Sequence, residues 1–346
     1  MKKILLSTLA AILLSGCAMC ANSKTLDILT LFSTKSCSQN KAWVGTFQLV
    51  WNDMKNNIIK KDVKFINEKP TRELIGLNNE EFNSSMLNEA SYYTSYGKTT
   101  LTAKEKIKKD IWAKFNEKSD IIDLMDWSEG IGKYYAYAML KKEFEFFEEF
   151  DKLEKMSFNN SKEKYDFFGI KENSNEILDN NVGVLFYNNK NDFALQLRTQ
   201  SNDIVYLYRT NSNSSFDKLY EKMTKKSEKY QGNKEFAKID TLKIPNLKIN
   251  SQRKYPTLTN KQIEGTDLYF SEALETLQLE LNNKGGKVKS EAMIMTKNCM
   301  IHPEEKEQPR EFNFDKTFVM FLIDAGKENP YLALRVKDLS EFQKGQ

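Results

Sequence analysis

The side chains of this chain that are best suited to catalysis are a cysteine and a histidine three residues apart, Cys299 and His302. His302 is the only histidine among the 346 residues. Catalysis by Ser-His-Asp or Cys-His groups requires a positioned imidazole, and histidine-rich zinc sites require several. A catalytic pair must also be held by a rigid scaffold and shielded from water, whereas residues 301–307 are polar and typical of a loop. We therefore expect neither an enzyme nor a metal or cofactor site.

The N-terminus has the layout of an export signal. Two lysines precede an apolar run at 4–14, and the small-residue stretch Ser15-Gly16-Cys17 follows it. This order is typical of a secretory signal peptide, and residues 14–17 resemble the bacterial lipobox, whose cysteine is acylated and becomes the first mature residue. The apolar run is shorter than the roughly 20 residues that span a bilayer. We expect the mature protein to be held on the bacterial cell envelope, outside the cytoplasm, by a lipid on Cys17.

The remaining cysteines do not form an obvious pattern. Cys17 and Cys20 make a C-x-x-C pair that could serve redox or metal chemistry, but acylation of Cys17 would leave Cys20 without that partner. The three other thiols, Cys20, Cys37 and Cys299, are an odd number, which does not favour a disulfide framework in an exported protein. Cys20 and Cys37 could close a loop, in which case Cys299 stands alone.

Composition indicates a globular body behind the anchor. The chain has 52 basic and 48 acidic side chains, and without Lys2 and Lys3 the net charge is +2. The lysines of 104–109 alternate with acidic and apolar residues, which is typical of a solvated helix face rather than a nucleic-acid surface. We expect no nucleic-acid partner. The predicted organisation is a signal peptide at 1–16, a flexible tether at 17–40 and a single domain at 41–346.

Helices are predicted in the first half of the chain. Apolar side chains recur at helical spacing from Phe47 to Ile59. Residues 102–105, Thr-Ala-Lys-Glu, match a capping box, and they precede Ile107, Ile111 and Phe115 on one helical face. The apolar stripe of this helix predicts packing against a core.

Strands are predicted beyond about residue 167, where the apolar period changes to two. The runs at 182–187, 192–197 and 204–208 are separated by polar spacers that fit tight hairpin loops. Helical spacing returns at 216–223.

Four segments of the second half resemble, in the same order, segments of the serpin family. Residues 312–322 read FNFDKTFVMFL and are similar to the C-terminal signature of that family, and residues 330–336 to its closing strand. Residues 238–249 are similar to a serpin strand with a proline, and residues 273–286 to the strand that ends at the hinge of the reactive loop. The resemblance implies an α+β fold: helices in the N-terminal part packed on three large mixed or antiparallel sheets, with an exposed reactive-centre loop.

The resemblance also implies a mechanism for residues 285–310. A serpin presents this loop as bait, and cleavage by a target protease lets its first part insert as an added strand. If Gly285 is the hinge glycine, alternate residues face inward, and the inward set is small or apolar: Gly286, Val288, Ser290, Ala292 and Ile294. The outward set includes Lys287 and Lys289, and these lysines and Asn283 depart from the usual hinge.

Counting from the hinge gives Cys299-Met300 as the scissile bond, with Lys297 as an alternative bait for a trypsin-like enzyme, whose specificity pocket carries a carboxylate. The predicted partner is an extracellular protease of the serine or cysteine type. The predicted function is protease inhibition by loop insertion. Two alternatives remain open, a non-inhibitory serpin-fold binding lipoprotein and a lipoprotein that binds a small solute.

Overall fold

The computed structural model describes residues 26–38, 40–287 and 308–343. Within these ranges the protein is α+β, as the resemblance implies, and three of its four α-helices lie in the first third of the chain. None of these helices combines the length and hydrophobicity that a bilayer crossing needs. The α-helices are α1 (Thr46–Asp53), α2 (Arg72–Asn78), α3 (Leu101–Phe115) and α4 (Phe216–Lys229), with a π-helix (Met54–Ile59) continuing α1. The 3-10 helices are Ser84–Met86, Glu89–Ser91, Ile122–Leu124 and Glu176–Asn181.

The strands of these ranges follow in chain order. They are β1 (Asp27–Leu29), β2 (Lys41–Val44), β3 (Tyr92–Lys98), β4 (Tyr134–Leu140), β5 (Phe144–Glu145), β6 (Asp151–Lys152), β7 (Met156–Ser157), β8 (Lys164–Tyr165), β9 (Phe167–Ile170), β10 (Val182–Asn189), β11 (Asp192–Arg198), β12 (Ile204–Arg209), β13 (Thr241–Pro245), β14 (Leu247–Lys254), β15 (Leu274–Asn282), β16 (Gly285–Gly286), β17 (Glu311–Asn313), β18 (Phe318–Ile323) and β19 (Pro330–Val336).

Three sheets of four or more strands form the body in the described ranges. The largest has the order β1-β2-β19-β18-β12-β11-β10, and the two others have the orders β17-β13-β9-β6 and β14-β15-β16-β5. Strands β3 and β4 form a separate antiparallel pair, as do β7 and β8. All six residues of β18 and all seven of β19 are buried, which explains their continuous apolar sequence. The predicted three-sheet body is present.

The predicted strands and helices are largely confirmed. β10, β11 and β12 form an antiparallel meander at the positions that the period of two predicted, and α4 begins at Phe216 as predicted. The helical spacing from Phe47 corresponds to α1 and the π-helix after it. The segment 238–249 divides between two sheets, because Asn246 separates β13 from β14.

The start of α3 differs from the prediction by two residues. The N-cap is Thr100, whose hydroxyl accepts a hydrogen bond from the Ala103 backbone N–H at 2.9 Å. The predicted cap, Thr102, lies inside the helix and is exposed. The apolar face is confirmed, since Ile107, Ile111 and Phe115 are all buried. Two threonines two residues apart both offer a capping hydroxyl, and the sequence pattern selected the wrong one.

Thr100 therefore stabilises the protein in a way that Thr102 does not. We expect Thr100→Ala to lower the free energy of unfolding by about 1 kcal/mol, because the Ala103 N–H loses its acceptor at the helix start. Thr102→Ala is the matched control and leaves stability nearly unchanged or slightly improved, since alanine favours a helix interior. Urea denaturation of both variants checks this. A larger loss for the Thr102 variant would contradict the observed cap.

The described part of the predicted tether, 26–38 and residue 40, is folded, so the prediction of a flexible tether is wrong there. β1 pairs in parallel with β2, and Ile28 is 1% exposed in the main core. Asp27 also forms an ion pair with Arg253 on β14. The apolar residues around this strand, within 26–32, lie between small and polar stretches, and a strand of three residues is too short to show a period.

Residues 1–25 lie outside the described residues, and with them the predicted signal peptide and the lipidation site Cys17. Cys37 forms a disulfide bond, while Cys17, Cys20 and Cys299 are outside the described ranges. The pairing of Cys20 with Cys37 stays a prediction.

Candidate functional site

The predicted hinge forms a tight hairpin at the end of β15. β15 pairs with β14 along eight residue pairs, from Leu274 to Leu281. The chain then reverses at Asn283 and Lys284, and Gly285 and Gly286 return antiparallel to β15 as strand β16. β16 also pairs with β5 on its other side. The hinge glycines are thus a two-residue strand between β15 and β5.

Close packing explains the two glycines. Gly285 has φ +150°, and a Cβ atom there would lie 2.1 Å from the Phe144 carbonyl oxygen. A Cβ on Gly286 would lie 2.5 Å from the Phe144 ring. The hairpin is held by backbone bonds from Phe150 N–H to the Asn283 carbonyl and from Phe146 N–H to the Lys284 carbonyl, both at 2.9 Å. Only residues without a Cβ allow the chain to enter between β15 and β5 in this way.

A cleft continues from β16 between β15 and β4. Lys287 N–H donates to the Glu280 carbonyl at 3.3 Å, and beyond it the edge of β15 that faces away from β14 has no strand partner among the described residues. Among the described residues, β4 pairs only with β3, so its other edge also has no strand partner. A cavity of about 880 Å³ lies between these two edges, lined by both strands, by β14, by α1 and by residues 267–273.

The buried side of the cleft is mainly apolar. Leu277 and Leu279 of β15 are 5% and 3% exposed, and Phe47 and Trp51 of α1 line the same cavity. β15 alternates strictly between this buried face and an exposed or half-buried one. If a strand were placed here, only every second side chain of it would contact the apolar interior.

One charged residue, Glu275, lies on the buried face of β15. Its Oε1 atom accepts hydrogen bonds from the Thr46 hydroxyl at 2.8 Å and the Phe47 backbone N–H at 3.1 Å. Its Oε2 atom is 2.6 Å from the Tyr255 hydroxyl. Burial raises the pKa of Glu275 from 4.5 to about 7, although these hydrogen bonds act in the opposite direction.

A second buried polar group lies where β4 ends. Lys142 is 4% exposed, lines the cleft and contacts the carboxylates of Asp203 and Asp324. Burial raises the pKa of Asp203. Burial acts in the same direction on Asp324, but hydrogen bonds from Lys142 and from the Asn88 N–H outweigh it and lower the pKa of that carboxyl. The cation is therefore held between two carboxylates that belong to different strand ends.

The far end of the predicted loop is fixed on another sheet. Arg310 precedes β17 and forms an ion pair with Asp240, at 2.7 Å between Nη2 and Oδ2. Its Nη1 atom also donates to the Asn233 carbonyl at 2.7 Å. Residues 288–307 connect this point with the β16 hairpin and lie outside the described residues.

The structure therefore describes only part of the predicted site. Gly285 and Gly286 lie together at the end of the cleft. The other predicted loop residues lie outside the described ranges: Val288, Ser290, Ala292, Lys297, Cys299 and Met300. Sequence reasoning missed Glu275 and Lys142. Glu275 was detectable, because it occupies a leucine position in the alternation LETLQLELN of β15.

Comparison with solved structures finds matches at low identity and with TM-scores near 0.4. Serpin48 of the insect Tenebrio molitor is 13% identical with a TM-score of 0.41, covering 74% of this chain and 78% of that chain. Thyroxine-binding globulin complexed with thyroxine is 15% identical with a TM-score of 0.41, covering 68% and 64%. A second structure of the human globulin is 13% identical with a TM-score of 0.40, covering 82% and 77%. No protein-family model and no curated protein matches the sequence.

Proposed function

We propose that this protein is a protease inhibitor of the serpin type, which presents residues 285–310 as bait and inserts the first part of that segment into the cleft after cleavage. The observation that carries the proposal is β16. Its two glycines already pair with β15 on one side and β5 on the other, so they are the first residues of an additional strand at the open end of the cleft.

The register of β16 supports the proposed direction of insertion. Gly286 pairs with Leu281 and Gly285 with Asn282. Continued at this register, the ladder pairs Val288 with Leu279, Ser290 with Leu277 and Ala292 with Glu275. Directly opposed residues in a sheet share one face, and these three β15 residues are at most 5% exposed. The small and apolar alternate residues of the loop therefore fall on the buried face.

The outward residues fit the same register. Lys287 falls opposite Glu280, and Lys289 falls opposite Gln278, which is exposed. Lysines at these positions remain in water, so they do not oppose insertion. The departures from the usual hinge sequence are thus compatible with a strand in this cleft.

Insertion also has a clear driving force. The edges of β4 and β15 that face each other present backbone N–H and C=O groups, and a strand between them would give those groups partners. It would also cover apolar surface of the cleft, at about 25 cal/mol per Å² of apolar area removed from water. The cleaved form should be more stable than the intact form.

The proposed bait lies beyond the inserted part, at Cys299-Met300 or at Lys297. The proposed target is an extracellular protease of the serine or cysteine type, and the chain itself performs no catalysis. The proposed location is the bacterial cell envelope, through a lipid on Cys17, so that the loop meets proteases outside the cytoplasm.

A protease panel tests the proposal. The purified protein is incubated with serine and cysteine proteases, and SDS-resistant adducts are sought together with the melting temperature after cleavage. We expect an adduct with at least one protease and a higher melting temperature after cleavage within 288–307. Cleavage without adduct and without a gain in melting temperature, for every protease, would instead favour the non-inhibitory binding lipoprotein.

A further inference from the structure

A fully exposed isoleucine stands at the tip of the loop that leads into β4. Ile131 lies between Gly130 and Gly132 and is 107% exposed, more than any other large apolar side chain among the described residues. A single exposed apolar residue is common on protein surfaces. Ile131 differs from such a residue in the loop that holds it and in the side chains beside it.

The loop is braced by its own hydrogen bonds. Thr99 donates its hydroxyl to the Ser128 carbonyl and its N–H to the Lys133 carbonyl, both at 3.1 Å. The Lys133 Nζ atom donates to the Ser128 hydroxyl oxygen at 2.6 Å. Gly132 has φ +74°, in the left-handed region that favours glycine. Ile131 is therefore presented outward by a braced loop.

Two tyrosines lie beside this loop, at the end of the cleft opposite the hinge. Tyr134 begins β4 and is 39% exposed, and Tyr269, which precedes β15, is 59% exposed. Both line the cavity of the cleft together with Ile131. A Cβ atom on Gly132 would lie 3.5 Å from the Leu268 side chain, so the two segments are neighbours. We call Ile131, Tyr134 and Tyr269 the apolar tip.

The charged residues around the apolar tip include both signs. Lys133 pairs with Asp126 at 3.0 Å. Lys98 of β3 is exposed, and so are Glu129 and Asp267. Neither sign dominates, so the apolar tip suits a partner that is recognised by its apolar character rather than by its charge.

The N-terminal end of the described chain joins the body at this same end of the cleft. Asp27 of β1 forms an ion pair with Arg253, the last residue but one of β14. The opposite end of β14 starts at Leu247, which pairs with Leu281 beside the hinge. The segment that precedes β1 therefore reaches the body away from the hinge.

The apolar tip lies a short distance from this junction. Tyr255 follows Arg253 by two residues, and its N–H donates to the Ala273 carbonyl at 3.0 Å, four residues from Tyr269. Because an extended chain covers at most about 3.6 Å per residue, the Tyr269 backbone is within about 30 Å of the Arg253 backbone. By the same measure, a lipid on Cys17, nine residues before Leu26, keeps Leu26 within roughly 30 Å of the bilayer.

We propose that the apolar tip docks on the lipid bilayer to which the protein is anchored, with Ile131 inserted beneath the headgroups and the two tyrosines at headgroup level. Tyrosine is enriched at membrane interfaces because its ring is amphipathic. The anchor makes this contact intramolecular, so a small apolar surface is sufficient. The inference rests on the proposed lipid at Cys17, and it does not depend on protease inhibition.

Docking in this orientation places the hinge away from the bilayer. β15 has nine residues, and at about 3.4 Å per residue its hinge end lies about 30 Å from Leu274. The proposed bait would then start on the side of the body that faces the medium.

Tryptophan fluorescence in vesicles tests the docking. The full-length acylated protein is purified from cell membranes and reconstituted in phosphatidylcholine vesicles with or without bromine on the acyl chains. The emission of the wild type, which has four tryptophans, is subtracted. We expect Ile131→Trp to add blue-shifted emission that loses about half of its intensity or more to the bromine, since interfacial side chains lie about 5–10 Å deep in the headgroup and acyl boundary.

A tryptophan at the hinge is the matched control. Lys284 is exposed at the turn between β15 and β16, and Lys284→Trp should show no loss of emission to the bromine. Tyr269→Trp is a second probe of the apolar tip that leaves position 131 intact, and addition of Ile131→Asp should abolish its quenching. Equal quenching at positions 131 and 284, or none at positions 131 and 269, would overturn the proposal.

Two further results decide the identity of the partner. Replacement of part of the phosphatidylcholine by phosphatidylglycerol should leave the quenching unchanged, and quenching only with the anionic lipid would contradict an apolar contact. The mass of the N-terminal peptide of the purified protein should include a lipid, and a peptide without lipid would overturn docking on an anchoring bilayer. No protease enters these measurements, so a docked protein that inhibits nothing would disprove the proposed function alone.

Discussion

A Val288→Glu variant should lose the SDS-resistant complex with its target protease and become an ordinary substrate. At the register set by β16, residue 288 falls opposite Leu279, which is 3% exposed on the buried face of β15. A carboxylate placed there would cost several kcal/mol of desolvation, because it would leave water for the buried, mainly apolar face of β15. Insertion would be slow or incomplete, and the acylated protease would be released by hydrolysis.

Lys289→Glu is the matched control for this experiment. The same charge is introduced one residue along, opposite the exposed Gln278, where the side chain stays in water. We expect this variant to form the complex nearly as well as the wild type, and its melting temperature to rise after cleavage, whereas cleaved Val288→Glu should show little gain. If both variants, or neither, form the complex, the register of insertion proposed here is incorrect.

The period of two in the sequence identified β10, β11 and β12, the meander of the largest sheet. β14 and β15 alternate in burial along their whole length, but β14 has only polar residues at 251–254 and β15 has Glu275 at a buried position. Both segments were identified by their likeness to a family, as were β18 and β19, which are buried on all residues. Local periodicity therefore detects a strand only where its sequence, and not just its burial, alternates.

The short strands could not be predicted from the sequence. β1, β5 and β16 have two or three residues, too few to show a period, and each exists because a distant strand offers a free edge. Gly285, for example, pairs with Glu145, and nothing near either residue in sequence indicates that contact. The cleft has the same origin, since β4 and β15 border it from opposite halves of the chain.

The buried charges were also invisible to local reasoning. Lys142 is one of three consecutive charged residues at 141–143, which by itself indicates a solvated surface. Its partners Asp203 and Asp324 lie 61 and 182 residues away. Only the tertiary fold shows that Lys142 is buried, whereas the side chain of its neighbour Lys141 is only partly buried.

Removal of the Lys142 side chain should therefore be one of the most damaging single changes in the protein. In Lys142→Ala the carboxylates of Asp203 and Asp324, 3% and 1% exposed, face each other without their cation. Loss of one partner from a buried ionic group typically costs about 3–5 kcal/mol, because the remaining charge stays uncompensated. Urea denaturation at pH 7 measures the loss, and Lys133→Ala, which removes a surface partner of Asp126, is the control and should have no measurable effect.

The pH dependence of this loss identifies its cause. Without Lys142, repulsion and burial raise the pKa of both carboxyls above their unfolded values, so the destabilisation is largest where they are ionised and shrinks as the pH falls and they bind protons. The gap between wild type and Lys142→Ala should therefore be clearly smaller at pH 4.5 than at pH 7. Lys142→Met, which keeps most of the apolar volume, should show the same trend with a smaller packing loss. An equal loss for Lys142→Ala at both pH values would mean that missing contacts, rather than unpaired charges, account for the effect.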